Sequence, residues 1–253
     1  MMRSDLVEFM KKNKIIAVLR GIEGQAGLDL VNTLYEFGVK IIEITVETEA
    51  GMDLLEAACY YFDKEVEQNK VVIGAGTVLE ASNALAAVKK KAQFLVSPCY
   101  SDTIVEIANH SNVVMIPGAF TPTEVYRAKR KRVDFIKIFP INVLKSSYIK
   151  SIQGPFGKIP ILVTGGVTLD NFSEYLEEGA QLVGIGADLV QSPESVQGRG
   201  FFTLKDRLAS ALKKVELLNK KLEIDDNVVI FNRKSKESEE SKKTSEKDEY
   251  GDS

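Results

Sequence analysis

Short apolar segments alternate with amphipathic segments along the first 222 residues of the chain. Each apolar segment is four to seven residues long, a length typical of strands that are buried on both faces of a sheet. The segments lie at residues 15–19, 40–46, 71–75, 94–97, 113–116, 135–139, 159–163 and 182–185. This pattern predicts eight β-strands.

Helical periodicity, with apolar residues every three to four positions, separates these strands. Predicted helices cover residues 4–12, 26–37, 52–61, 82–91, 102–109, 169–178 and 203–222, and another begins at Thr121. Repeated strand-then-helix units over about 220 residues are typical of a single-domain (β/α)₈ TIM barrel. A doubly wound open sheet is the alternative, but no dinucleotide-binding fingerprint is present, which favours the closed barrel.

The barrel pattern ends near residue 224, where the composition changes. We therefore assign residues 1–224 to the barrel with its short N-terminal helix. Residues 225–253 form a charged segment, and from Asn232 onward it contains almost nothing apolar. Such a composition cannot build a core and predicts a disordered tail.

The bulk composition excludes several classes of protein. The 253 residues are 44% hydrophobic and 27% charged, with a net charge of −3, so nothing indicates nucleic acid as a partner. No apolar run approaches the roughly 20 residues that span a bilayer, and the start lacks a signal-peptide core. The two cysteines, Cys59 and Cys99, make no disulfide framework. We expect a cytoplasmic protein with no membrane partner.

Metal chemistry is not expected either. His110 is the single histidine of the chain, so no multi-histidine metal site can form, and we expect neither a metal nor a cofactor. Because His110 lies where a predicted helix ends, a charge at the helix C-terminus or a solvated loop explains it.

A lysine stands at the centre of the sixth apolar segment. Strand alternation places Lys137 on the same face as Phe135 and Phe139. Burial favours the neutral amine and lowers its pKa, and a neutral amine attacks carbonyl carbons. The alternatives are a buried ion pair or a side chain that reaches solvent at the strand end.

A second charge, Glu43, is embedded among the isoleucines of the second strand. A structural ion pair with Lys137 is the simplest account, yet buried pairs are often no more stabilising than apolar residues of the same volume. An amine that forms an imine, with a carboxylate that transfers protons, explains both residues.

In a (β/α)₈ barrel the chemistry lies at the carboxyl ends of the strands. Arg20 follows the first strand with the inward parity of Val18. Gly165, Gly166 and Gly186 follow the seventh and eighth strands. Their backbone N–H groups suit a phosphate, although tight turns alone also need glycine.

Several of these segments resemble the 2-keto-3-deoxy-6-phosphogluconate (KDPG) / 4-hydroxy-2-oxoglutarate aldolase family of class I aldolases. The resemblance runs from about residue 14 to 222. It rests on IIAVLRG at 15–21, IEIT at 42–45, GAGTV at 74–78, VSP at 96–98, IPG at 116–118, IKIFP at 136–140 and TGGV at 164–167.

This resemblance implies that Lys137 is the Schiff-base lysine and Glu43 the general acid/base. It places Thr77, Pro98, Phe139 and Thr164 around the pyruvate pocket. It also implies a homotrimer and a phosphorylated keto acid as substrate, cleaved to pyruvate and glyceraldehyde 3-phosphate, with 4-hydroxy-2-oxoglutarate as a further substrate. The C4 epimer 2-keto-3-deoxy-6-phosphogalactonate, a phosphosugar isomerase or epimerase, and a non-catalytic sugar-phosphate-binding barrel stay open as alternatives.

Two residues depart from the family pattern. Glu47 stands where some members have an arginine that binds the substrate carboxylate, and Ala187 stands where many have a serine that binds phosphate. We expect Glu47 to turn toward solvent or to pair with a cation, and Arg20 to make the anionic contact in its place.

Overall fold

A parallel sheet forms the centre of the protein, in a computed structural model that describes residues 2–189 and 203–222. Its strands are β1 (Ile15–Leu19), β2 (Ile41–Thr45), β3 (Val72–Gly76), β4 (Phe94–Val96), β5 (Val114–Ile116), β6 (Gly118–Ala119), β7 (Ile136–Ile138), β8 (Ile161–Thr164) and β9 (Leu182–Ile185). The strand order is β5-β4-β3-β2-β1-β9-β8-β7-β6, with every pair parallel.

The sheet closes at the fifth predicted strand, residues 113–116, because the observed strand continues past the predicted end and Pro117 divides it into β5 and β6. β5 pairs with β4, whereas β6 pairs with β7, so the two ends of the strand order belong to one stretch of chain. Proline cannot donate to a ladder, but the Pro117 carbonyl accepts the Lys137 N–H at 2.9 Å. The predicted (β/α)₈ TIM barrel is therefore confirmed, with its fifth strand in two pieces.

Helices alternate with these strands. Their bounds are α1 (Arg3–Asn13), α2 (Gly24–Glu36), α3 (Glu49–Tyr61), α4 (Asp63–Glu67), α5 (Ala81–Lys89), α6 (Asp102–His110), α7 (Pro122–Arg130), α8 (Tyr148–Phe156), α9 (Phe172–Glu177) and α10 (residues 203–222). Helices α4 and α8 are not predicted by the sequence pattern. Helix α8 has a weak signal because it buries only Ile149 and Ile152 and contains Pro155.

The amino ends of the strands hold an apolar layer to which every strand of the pattern contributes one residue. These residues are Ile16, Ile41, Val72, Phe94, Val114, Phe135, Leu162 and Leu182. Helix α1 packs on this layer through Leu6 and Met10. The base of the barrel is thus closed by side chains without polar atoms, which leaves the carboxyl ends of the strands for polar groups.

Backbone contacts divide the chain into two units, residues 1–212 and residues 213–253. In the second unit the structure describes residues 213–222, which are helical. The predicted boundary at residue 224 and the predicted tail, residues 225–253, lie outside the described residues. Within the described part of the chain, no helix has the length and apolar character that crossing a bilayer requires.

Candidate active site

A cavity of about 670 Å³ opens at the carboxyl ends of the strands. Its wall includes all ten site residues that the sequence predicted. They are Arg20, Glu43, Thr77, Pro98, Lys137, Phe139, Thr164, Gly165, Gly166 and Gly186. The structure therefore brings together residues from seven different strands or strand ends, and none of the ten lies elsewhere.

Lys137 reaches the cavity because of the alternation along β7. Phe135 points into the apolar base, Lys137 occupies the next inward position, and Phe139 lines the cavity above it. The lysine side chain passes close to the phenyl ring, since its Nζ lies 5.0 Å from the centroid of Phe139. Burial lowers the pKa of Lys137, an effect that Glu43 opposes and Arg20 reinforces. The site therefore favours the neutral, nucleophilic amine.

Glu43 is fully buried in β2, and its Oε1 has no hydrogen-bond partner among the described residues. Burial raises the pKa of Glu43, although Lys137 and Arg20 act in the opposite direction. The salt bridges among the described residues do not include one between this carboxyl group and Lys137, although the two charges attract each other. An unpaired buried carboxyl group is costly for stability, so the structural ion pair considered from the sequence does not explain it.

Two glycines of β3 make room for large side chains inside the barrel. A Cβ atom on Gly76 would lie 2.0 Å from Glu43 Oε1, and one on Gly74 would lie 2.4 Å from the ring of Phe94. Neither residue needs glycine for its backbone dihedral angles. Gly74 accommodates a side chain of the apolar base, and Gly76 accommodates the carboxyl group of the cavity.

Arg20 lies at the mouth of the cavity between two partners. One of its terminal nitrogens donates to Glu47 Oε1 at 2.6 Å, and the other donates to Thr77 Oγ1 at 2.7 Å. Glu47 thus pairs with a cation, one of the two expectations from the sequence. Thr77 has φ of +54°, which is rare for a β-branched residue and indicates backbone strain at the site.

The turn after β8 requires its glycines on steric grounds. Gly165 and Gly166 have φ of +89° and +85°. A Cβ atom on Gly166 would approach Asn142 Cβ to 2.5 Å. The need for tight turns therefore accounts for both glycines, and their proposed contact with phosphate stays a prediction.

One charged residue of the cavity wall, Asp188, is not predicted from the sequence. Its carboxylate accepts the Leu169 N–H at 2.7 Å and an Arg207 terminal nitrogen at 2.9 Å. The available signal was its position, two residues after Gly186 at the end of the last strand. The partner Arg207 could not be inferred, because it belongs to α10.

The described residues contain no group of three or more histidine, cysteine, aspartate or glutamate side chains that could hold a metal ion. His110 is in the last turn of α6, where its Nδ1 lies 2.7 Å from the Glu106 carbonyl oxygen. It does not line the cavity.

The fold and the cavity define a (β/α)₈-barrel enzyme with a buried amine and a buried carboxyl group at the carboxyl ends of its strands. A family model described as KDPG and KHG aldolase matches residues 6–199. The chain belongs to this aldolase family and is therefore a carbon–carbon lyase.

Individual relatives carry two different substrate names. The 2-dehydro-3-deoxy-6-phosphogalactonate aldolase of Escherichia coli strain K12 is 27% identical over 192 residues, which are 76% of this chain and 91% of that protein. The 2-dehydro-3-deoxy-phosphogluconate aldolase of Pseudomonas aeruginosa is 31% identical over 183 residues, 72% of this chain and 80% of that protein. A solved structure described as native KDPGal has a TM-score of 0.71 and 26% identity, and the match covers 80% of this chain and 96% of that one.

Proposed function

We propose that this chain is a Schiff-base aldolase that cleaves 2-keto-3-deoxy-6-phosphogluconate to pyruvate and glyceraldehyde 3-phosphate. The observation that carries the proposal is the pair of buried, mutually unpaired groups in one cavity, Lys137 and Glu43. Their pKa shifts, downward for the amine and upward for the carboxyl group, are those that a nucleophile and a proton-transfer group require near neutral pH.

The reaction follows from these two groups. The neutral Lys137 amine attacks the C2 ketone, and loss of water gives a protonated imine. This imine withdraws electrons, so the C3–C4 bond breaks as Glu43, directly or through a water molecule, removes the proton of the C4 hydroxyl. Glyceraldehyde 3-phosphate leaves. The enamine is protonated at C3, and water then hydrolyses the imine to release pyruvate and the free lysine.

The remaining predicted residues would hold the substrate around this centre. Thr77, Pro98, Phe139 and Thr164 would surround the pyruvate part. Arg20 would bind an anionic group, because a guanidinium can make two parallel hydrogen bonds to a carboxylate. The backbone N–H groups of Gly165, Gly166 and Gly186 would face the phosphate.

Two further substrates share this chemistry. Cleavage of 4-hydroxy-2-oxoglutarate to pyruvate and glyoxylate needs the same imine. The C4 epimer 2-keto-3-deoxy-6-phosphogalactonate is supported by the relative from Escherichia coli whose name contains it. A homotrimer and a cytoplasmic location stay predictions from the resemblance and the composition.

Reductive trapping tests the proposal. Wild-type protein incubated with pyruvate and borohydride should gain one reduced pyruvate, mapped to Lys137 by peptide mass spectrometry, and Lys137→Met should gain none. Lys14 provides a matched control, because it is equally buried at 6% exposure and burial also lowers its pKa. Lys14→Met should be labelled like the wild type.

An adduct on Lys137→Met, or one mapped to another lysine of the wild type, would contradict the assignment. A wild-type protein without any adduct would instead favour a phosphosugar isomerase or a non-catalytic sugar-phosphate-binding barrel. Comparing cleavage rates of the two C4 epimers then identifies the preferred substrate.

A further inference from the structure

In the described part of the chain, the cavity wall offers no unpaired cation to an anionic ligand. Among the described residues, its wall contains four ionisable side chains: Arg20, Glu43, Lys137 and Asp188. Arg20 is paired with Glu47, and burial shifts Lys137 toward its neutral form. An anion that enters must therefore displace Glu47 from Arg20 or depend on backbone and hydroxyl donors.

Asp188 lines the same end of the cavity as the glycine turns that follow β8 and β9. It lies beside Gly186 and Ala187 in the wall, and its side chain is 18% exposed. Arg207 donates to both of its oxygens, at 3.1 and 2.9 Å, and the Leu169 N–H donates to one of them at 2.7 Å. Position 187 meanwhile lacks a hydroxyl group.

The charge around this end does not favour phosphate. Arg207 and Asp170, which lies 3.3 Å from the same guanidinium, do not line the cavity, so the Asp188 carboxylate lies nearer an entering group than the cation that pairs with it. A phosphate monoester carries roughly −1.5 to −2 at neutral pH. Its charge would be repelled more strongly in a partly desolvated cavity than in water. An uncharged hydroxyl group, by contrast, can donate a hydrogen bond to a carboxylate.

We propose that Asp188 is a specificity-determining residue that disfavours a terminal phosphate, so that the cavity accepts 2-keto-3-deoxy acids ending in a free hydroxyl group as well as phosphorylated ones. This inference rests on the proposed aldolase function. Asp188 would determine whether the terminal group of the substrate is charged or uncharged, whereas Lys137 would form the imine at the other end of the substrate.

The substitution Asp188→Asn tests this role, because asparagine keeps an oxygen that can accept the Leu169 N–H. The measurement is kcat/KM for 2-keto-3-deoxy-6-phosphogluconate and for its unphosphorylated counterpart. Asp188→Asn should raise the ratio of the two values about tenfold, which corresponds to about 1.4 kcal/mol. Asp170→Asn is the matched control, since Asp170 binds the same guanidinium but is 86% exposed and lies outside the cavity wall. It should leave the ratio within twofold.

A second measurement does not depend on catalysis. The Kd of inorganic phosphate, measured by calorimetry, should fall about tenfold in Asp188→Asn and stay within twofold in Asp170→Asn. Unchanged or weaker phosphate binding in Asp188→Asn would overturn the role of Asp188, as would an equal gain in the two variants. If pyruvate trapping fails while phosphate binding tightens as expected, the aldolase proposal is wrong and the charge preference still holds. Asp188→Ser gives the same test should the asparagine variant not fold.

Discussion

The placement of Glu43 against the backbone of β3 leads to a prediction for Gly76→Ala. The added methyl carbon would lie 2.0 Å from Glu43 Oε1 and 2.5 Å from its Cγ. Ordinary contact begins near 3.4 Å, so the oxygen must move by about 1.4 Å. Displacing a catalytic group by about 1 Å can lower the rate about 100-fold. We therefore expect kcat/KM to fall by roughly that factor.

Gly74→Ala is the control for the cost of overpacking. Its added carbon would lie 2.4 Å from the ring of Phe94 in the apolar base, and the three atoms nearest to it all belong to that ring. Overpacking of this kind costs about 1–3 kcal/mol of stability, and we expect a similar loss in both variants by urea denaturation. Only Gly76→Ala should lose activity per folded molecule.

The assay is steady-state cleavage normalised to the folded fraction, combined with pyruvate trapping. Because Lys137 is untouched, Gly76→Ala should still form some imine while cleavage is impaired. If its kcat/KM stayed within threefold of that of Gly74→Ala, the position of the Glu43 carboxyl group would not matter, and the acid/base role would be refuted.

The remaining predictions concern Arg20, its partner and the lysine. Arg20→Lys should raise KM strongly, because lysine cannot donate two parallel hydrogen bonds to one carboxylate. If Arg20→Ala kept kcat/KM within twofold of the wild-type value, a difference of about 0.4 kcal/mol, Arg20 would not contact the substrate. Glu47→Gln should have little effect or increase activity, since it removes the negative charge that pairs with Arg20. The rate of imine trapping should rise with pH and level off below pH 10.5, because burial lowers the pKa of Lys137. Lys137→Met should increase the free energy of unfolding most at low pH, where Lys137 is charged in the folded protein. The gain should shrink as pH rises from the folded pKa of Lys137 toward 10.5, because in that range the unfolded wild-type chain holds a proton that the folded chain lacks. Urea denaturation at several pH values measures this gain.

Side-chain alternation along the strands predicts most of the candidate site. Alternation alone puts Lys137 on the face of Phe135 and Phe139 and gives Arg20 the inward parity of Val18, and the structure places these side chains inside the barrel. Such positions are predictable because the side-chain period of a strand is two residues and a buried strand leaves little freedom.

Features that depend on contacts distant in sequence could not be predicted. The bond between Arg207 and Asp188 joins α10 to the turn after β9, and nothing local in either segment indicates the other. The sequence leaves two outcomes open for Glu47, solvent or a cation, and does not identify Arg20 as that cation. The positive φ of Thr77 also has no local signal, since β-branched residues normally avoid that conformation.

The register of β7 links the fold to the proposed chemistry. Lys137 pairs with Gly118 on one side and Leu162 on the other, and its N–H donates to Pro117. A slip of one residue would turn Ile136 and Ile138 into the barrel and move Lys137 to the outer face. It would also remove Phe135 from the apolar base, where it is fully buried. The burial of Phe135 in the base of the barrel therefore also fixes the Lys137 amine in the cavity, because any shift in register would displace both side chains.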